Sequence, residues 1–104
     1  MKIRKGNMLF QRLDYRNEET PWDDKVYEEH LEWARRLAAE RFFIGGGLKN
    51  LTTMEGAPGC LFEAKDKKEA DIIINADPLI DIGLYRCELH KWNMFIYTET
   101  IFEQ

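Results

Sequence analysis

The sequence predicts an α+β domain of order β-α-β-β-α-β, an antiparallel sheet with two helices on one face. Three observations predict it. A 20-residue stretch, Trp22 to Arg41, sorts its apolar and charged residues onto opposite sides at helical spacing. Segments of mixed or alternating polarity flank it and recur near the C-terminus. A second helix-start signal, Asp66-x-x-Glu69, opens a shorter apolar stripe.

"NMLFQRLDYR", residues 7 to 16, reads as the first strand, with a rough period of two and a polar end. "NEETPWDD" then carries helix-start chemistry. Thr20 suits a cap and Pro21 a first turn, while Asp23 and Asp24 suit the positive end of the helix dipole. At about 100° per residue, Val26, Tyr27, His30, Leu31, Trp33, Ala34, Leu37 and Ala38 fall within an arc of about 160°. Lys25, Glu28, Glu29, Glu32, Arg35 and Arg36 take the other side. His30 is the one polar residue near the middle of the apolar arc.

"FFIGGGLKN" reads as a glycine-containing second strand, "EGAPG" as a turn and "CLFEAK" as a short third strand. Ala70, Ile73, Ile74 and Asp77 are spaced i, i+3, i+4, i+7, so Asp77 ends the buried stripe of the second helix. "YRCELHKWNMFIY", about 85 to 97, reads as the last strand. This order is the ferredoxin-like split βαβ arrangement. With both helices on one face, the other face of the sheet is left uncovered and needs a partner.

The 104 residues suit one domain, spanning 1–104. A net charge of −4 argues against a nucleic-acid surface, which needs clustered Lys and Arg. No run of about 18 apolar residues is present to span a membrane, and "MKIRKG" is followed by no signal-peptide core. Two cysteines without an export signal are expected to stay reduced in the cytoplasm. No metal is expected, because His30, His90, Asp77, Cys60 and Cys87 show no ligand spacing.

Three pieces of the sequence resemble the YciI-like (YCII-related) family: "EEHLEWARRL" followed by "FFIGGG", the run "ADPLIDIGL", and the aromatic-rich "YRCELHKWNMF". Together they span roughly Met8 to Phe95. The resemblance implies a dimeric α+β barrel, hence a homodimer, and a His-Asp pair that maps onto His30 and Asp77. It also implies proton-transfer chemistry without a cofactor, since one characterised branch removes chloride from a chlorinated hydroxyhydroquinone in that way. Two departures stand out. "GGGLKN" replaces the usual Gly-Pro after the second strand, and a short basic extension precedes the first. The first bears on the pocket rim, so the substrate of a relative does not transfer.

Each member of the pair also has an ordinary structural reading. A lone His on an apolar face is commonly a satisfied core residue, and Asp77 before Pro78 is a natural N-cap. The roles coexist if one carboxylate oxygen caps while the other faces the imidazole. His suits general acid-base work because its pKa lies near neutrality. Gly46, Gly47 and Tyr85 are candidate pocket residues: the glycines make room, and Tyr85 adjoins the Asp-Pro turn. His90 is expected at a polar rim or the dimer surface. The expected activity is elimination, isomerisation or lactone opening on a small organic molecule. The alternative is a non-catalytic module for ligand binding or dimeric assembly.

Overall fold

The computed structural model describes all of Met1–Gln104. The strands are β1 (Met8–Arg16), β2 (Phe43–Lys49), β3 (Gly56–Ala64) and β4 (Tyr85–Trp92). The helices are α1 (Asp24–Glu40), α2 (Lys67–Asn75) and a single turn, α3 (Pro78–Asp81). The sheet order is β2-β3-β1-β4 and every pairing is antiparallel. The β-α-β-β-α-β order therefore stands, with α3 as an addition between α2 and β4.

Register explains which side chains meet the helices. Met8, Phe10, Arg12 and Asp14 alternate onto one face of β1, opposite Ala64, Phe62 and Cys60 of β3. Phe10, Phe62, Cys60 and Ala64 pack there with Trp33 and Leu37 of α1 and Ala70, Ile73 and Ile74 of α2. The alternates Leu9, Gln11, Leu13 and Tyr15 point to the opposite face. On that face lie Ile44, Leu48 and Trp92, more than half exposed at 58%, 57% and 53%.

Several boundaries differ from the sequence expectation. The α1 cap is Asp23, whose carboxylate accepts from the amides of Lys25 and Val26. Thr20 instead closes a turn with Asn17. "EGAPG" is no turn: Gly56 to Gly59 lie inside β3. Pro58 is tolerated because β3 meets only β2 at that point, its pairing with β1 stopping at Gly59. The turn falls earlier, where the Asn50 side chain accepts from the amides of Thr52 and Thr53 and Met54 takes a positive φ of 65°. The last strand stops at Trp92, short of the expected 97. The chain then returns to the N-terminal segment, where Phe102 bridges Ile3 in parallel.

The basic N-terminal extension is docked. Glu63, fully buried, accepts from the amide of Arg4 and the Asn7 side chain through one oxygen and from the amide of Phe42 through the other. Arg4 also donates to the Glu40 carbonyl at the end of α1. Glu63 thus ties the chain start to the α1–β2 junction. Glu63→Ala strands three donors and is expected to cost about 2–4 kcal/mol, read by denaturant unfolding with Glu63→Gln retaining part of the loss.

Gly59 fixes the spacing behind the site. A Cβ there would collide with the Arg12 carbonyl oxygen, so β1 and β3 approach closely where Arg12 sits. Gly59→Ala is expected to lower stability by about 1–3 kcal/mol, measured as a fall in Tm.

Candidate active site

The site begins with a break between helices. After α2, Asp77 takes an extended backbone and its side chain accepts from the Leu79 amide at 3.0 Å, with Pro78 opening α3. Asp77 therefore caps a turn, as its position before Pro78 implies. It is also fully buried, and capping uses only part of its acceptor capacity.

The rest goes to two other elements. His30 Nδ1, from the middle of α1, lies 2.9 Å from each Asp77 carboxylate oxygen. Arg12 Nη2, from β1, lies 2.8 Å from Asp77 Oδ2. Arg12 Nη2 also donates to Asp14 Oδ2 at 2.9 Å, and Arg12 Nε lies 2.8 Å from Asp14 Oδ1. The result is a chain, Asp14–Arg12–Asp77–His30, buried except at its histidine end, where His30 is 18% exposed. Burying so much charge is sustainable only because each group has a partner.

The two carboxylates respond oppositely to this setting. Burial alone would raise the Asp77 pKa, but the His30 hydrogen bond, the Arg12 charge and the Leu79 amide outweigh it and hold it below the ordinary value. Burial pushes Asp14 up, and Arg12 only partly compensates. Burial also works against the Arg12 charge, yet its anionic neighbours raise its pKa further. Cys60, beside Arg12, is pushed up by burial to about 12 and stays a neutral thiol.

Trp33 packs against both His30 and Arg12. Its ring centroid is 5.6 Å from that of His30 and 5.2 Å from the Arg12 guanidinium carbon. Its indole N–H is anchored on the Ile73 carbonyl at 3.3 Å. The imidazole is thus held by a carboxylate at one nitrogen and a fixed aromatic plane at its face.

His30 lines a cavity of about 810 Å³ between α1 and the β2–β3 hairpin. Its walls are largely apolar, including Tyr27, Leu31, Trp33, Phe43, Met54 and Leu79, and its floor includes Arg12 and Asp14. The volume suits a small organic molecule. His30 Nε2 makes no hydrogen bond within the chain. With Asp77 ionised and accepting from Nδ1–H, Nε2 carries the lone pair.

Of the residues singled out from sequence, His30 and Asp77 come together, and Gly46 and Gly47 line the cavity with Gly45 and Gly59. Tyr85 does not line it. Edge strand β4 sets its ring against the Arg16 guanidinium, 5.9 Å from the ring centroid, so proximity to the Asp-Pro turn in sequence misplaced it. His90 sits on the exposed sheet face, 3.5 Å from Glu88. Arg12 and Asp14 were missed altogether. The available signal was their shared parity with Phe10 in a strand, which puts two charges on the core face. No group of three or more His, Cys, Asp and Glu side chains converges as a metal site, and no helix is long and apolar enough to cross a membrane.

Comparison with known proteins agrees with this architecture. Among solved structures, the chain is similar to 5-chloro-2-hydroxyhydroquinone dehydrochlorinase (TftG) from Burkholderia phenoliruptrix AC1100, in complex with 2,5-dihydroxybenzoquinone. The identity is 21% and the TM-score 0.60, over 83% of this chain and 94% of that one. At that identity the likeness establishes the fold. A de novo designed protein, Foldit4, aligns over 85% of this chain and 97% of its own, with 14% identity and a TM-score of 0.47. No curated protein matches. The family model of the YCII-related domain matches residues 8–93, from the first residue of β1 to just past β4. On that match, the chain belongs to the YCII-related family.

Proposed function

We propose that this protein is a small-molecule enzyme that moves a proton without a cofactor, with His30 as general base and acid and Asp77 as its orienting partner. The observation that carries the reading is the 2.9 Å contact between buried Asp77 and His30 Nδ1, on the wall of a largely apolar cavity. An ionised Asp77 holds the tautomer in which Nε2 accepts a proton, and it stabilises the imidazolium that results. The His30 hydrogen bond and the Arg12 charge together keep Asp77 ionised in spite of burial. The proton then returns to a leaving group or a neighbouring carbon, which is the common step of elimination, isomerisation and lactone opening. The similarity in fold to a dehydrochlorinase supports the elimination branch.

The reading includes a homodimer formed through the exposed sheet face. Ile44, Leu48 and Trp92 there are apolar and largely uncovered. Light scattering is expected to give twice the 12.4 kDa of the chain; a monomer at micromolar concentration would remove that part. It also includes a reducing, cytoplasmic setting, in which the free thiols Cys60 and Cys87 persist.

The test is a metabolite screen by thermal shift, run on wild type and His30→Ala together. A compound that stabilises only the wild type, and is turned over by it, supports the reading. A compound that binds both and is converted by neither points to a binding module instead. Conversion at equal rates by both proteins would exclude His30.

A further inference from the structure

The chain is acidic overall, with 19 Asp and Glu against 15 Lys and Arg. The cavity reverses that balance. Arg12, Arg35 and Lys49 line it, and Asp14 is the one carboxylate that does. Asp14 is already engaged by Arg12 Nη2 at 2.9 Å. The reversal is therefore local to the cavity and is no consequence of composition.

Arg12 adds a second, independent observation. It is 1% exposed, and its Nη1 has no acceptor in the chain. Buried guanidinium N–H groups are normally satisfied, and one left unpaired is costly. Its neighbour Nη2 is spent on Asp14 and Asp77. Arg12 and His30 lean on the same Asp77 carboxylate and stack on the same Trp33 ring. They therefore sit side by side at the inner end of the cavity.

We propose that the cavity takes a small, flat organic anion, such as a carboxylate or enolate, whose charged oxygen is received by Arg12 Nη1 beside His30, with Arg35 and Lys49 at the rim drawing it in. The inference rests on the reading of this cavity as a small-molecule site and adds the charge of its occupant. The aromatic walls select flatness: Tyr27, Trp33 and Phe43 offer faces and edges to a planar ligand. Asp14 and Asp77 already balance most of the Arg12 charge. What Arg12 still offers is a directed donor, while the exposed rim cations supply the long-range attraction. Nη1 is buried, so receiving the oxygen requires the side chains over it to give way. In this role Arg12 is a positioning residue for the ligand's oxygen.

The test uses two matched probes, benzoate and its neutral isostere benzamide, titrated into the full chain. Binding is read from the NMR shifts of the Trp33 indole N–H and the Gly45 and Gly47 amides. Benzoate is expected to bind at least about tenfold more tightly than benzamide, as one charge-assisted hydrogen bond implies. Its affinity should fall with added salt. Arg35→Gln with Lys49→Gln should weaken benzoate about threefold and flatten the salt dependence, leaving benzamide unchanged. Arg12→Lys, checked for folding by circular dichroism, should lose most of the preference for benzoate. If Arg12→Lys does not fold, the rim variant decides. Benzamide binding as well as benzoate would overturn the anion while leaving a small-molecule cavity. Failure of both probes to bind would overturn it too, and would also weaken the cavity as a small-molecule site.

Discussion

Asp77→Asn is expected to remain folded and to lose about 10²–10⁴-fold in turnover of the substrate that the thermal-shift screen identifies, the range for a base left in the wrong tautomer. The local geometry accounts for both halves. Asn caps about as well as Asp, so its oxygen can keep the Leu79 amide that Asp77 holds at 3.0 Å. The Leu79 amide uses Oδ1 and Arg12 Nη2 uses Oδ2, so an Asn that keeps the cap puts its NH2 in place of Oδ2, facing both Arg12 Nη2 and His30 Nδ1. A donor there makes Nδ1 the acceptor and places the imidazole proton on Nε2. The nitrogen on the cavity side then has no lone pair to offer. Steady-state kinetics would show the fall in kcat with KM little changed. Wild-type activity in this variant would leave Asp77 with its capping role alone.

The same substitution has a signature in stability against pH. Asp77 is held below its ordinary pKa of 3.8 in the folded chain. Below 3.8 the unfolded state therefore binds more protons than the native state at this position. The stability it contributes is complete above that value and is lost as the pH falls through the folded pKa. Asp14, raised by burial, works with the opposite sign: the native state takes up its proton first, which favours folding as the pH falls toward 3.8. In chemical denaturation, wild type and Asp77→Asn are expected to differ most above pH 4 and to converge below it. A gap independent of pH would mean that the Asp77 pKa is not depressed.

What the sequence disclosed of this site follows from periodicity. His30 stood out because α1 is strongly two-sided, so one polar residue on its apolar arc was visible at helical spacing. Asp77 stood out because it continued the stripe of Ala70, Ile73 and Ile74 and preceded a proline. That stripe was right about burial although the helix itself ends at Asn75 and Asp77 begins the next turn. Strand β1 hid its half of the site. Gln11, Arg12, Asp14 and Tyr15 put polar atoms on both faces, so the alternation did not show which face was the core. Only the pairing of Arg12 with Cys60 and Asp14 with Cys87 settles that both charges point inward. Pro58 concealed the first half of β3, because a proline between glycines reads as a turn until the missing neighbour on one side is known. Tyr85 failed for a different reason: it shares the inner face with Arg12 and Asp14, but it sits on edge strand β4, whereas the cavity lies over β2 and β3 at the other side of the sheet.

Arg12 carries the other large expected effect. Arg12→Met replaces the shared cation of two carboxylates with an apolar chain of similar length. Asp14, 4% exposed, would lose its guanidinium partner, and Asp77, fully buried, would keep only His30 and the Leu79 amide. Removing one partner of a buried ion pair typically costs about 3–5 kcal/mol, because the remaining charge is left in a poor solvent. Here two carboxylates are affected, and Asp14 relieves its share by taking up a proton, since burial already pushes its pKa upward. The expected loss therefore stays near that range instead of doubling, and equilibrium unfolding at pH 7 should show it. At pH 5 the loss should be smaller, because Asp14 is then more readily neutral in the variant. Combining Arg12→Met with Asp14→Leu removes the abandoned charge together with its partner. The double variant is expected to recover a good part of the stability without recovering ligand preference. If Arg12→Met alone costs less than about 1 kcal/mol, the Asp14–Arg12–Asp77 chain is no buried network, and Asp77 owes its ionisation to His30 and the α3 cap alone.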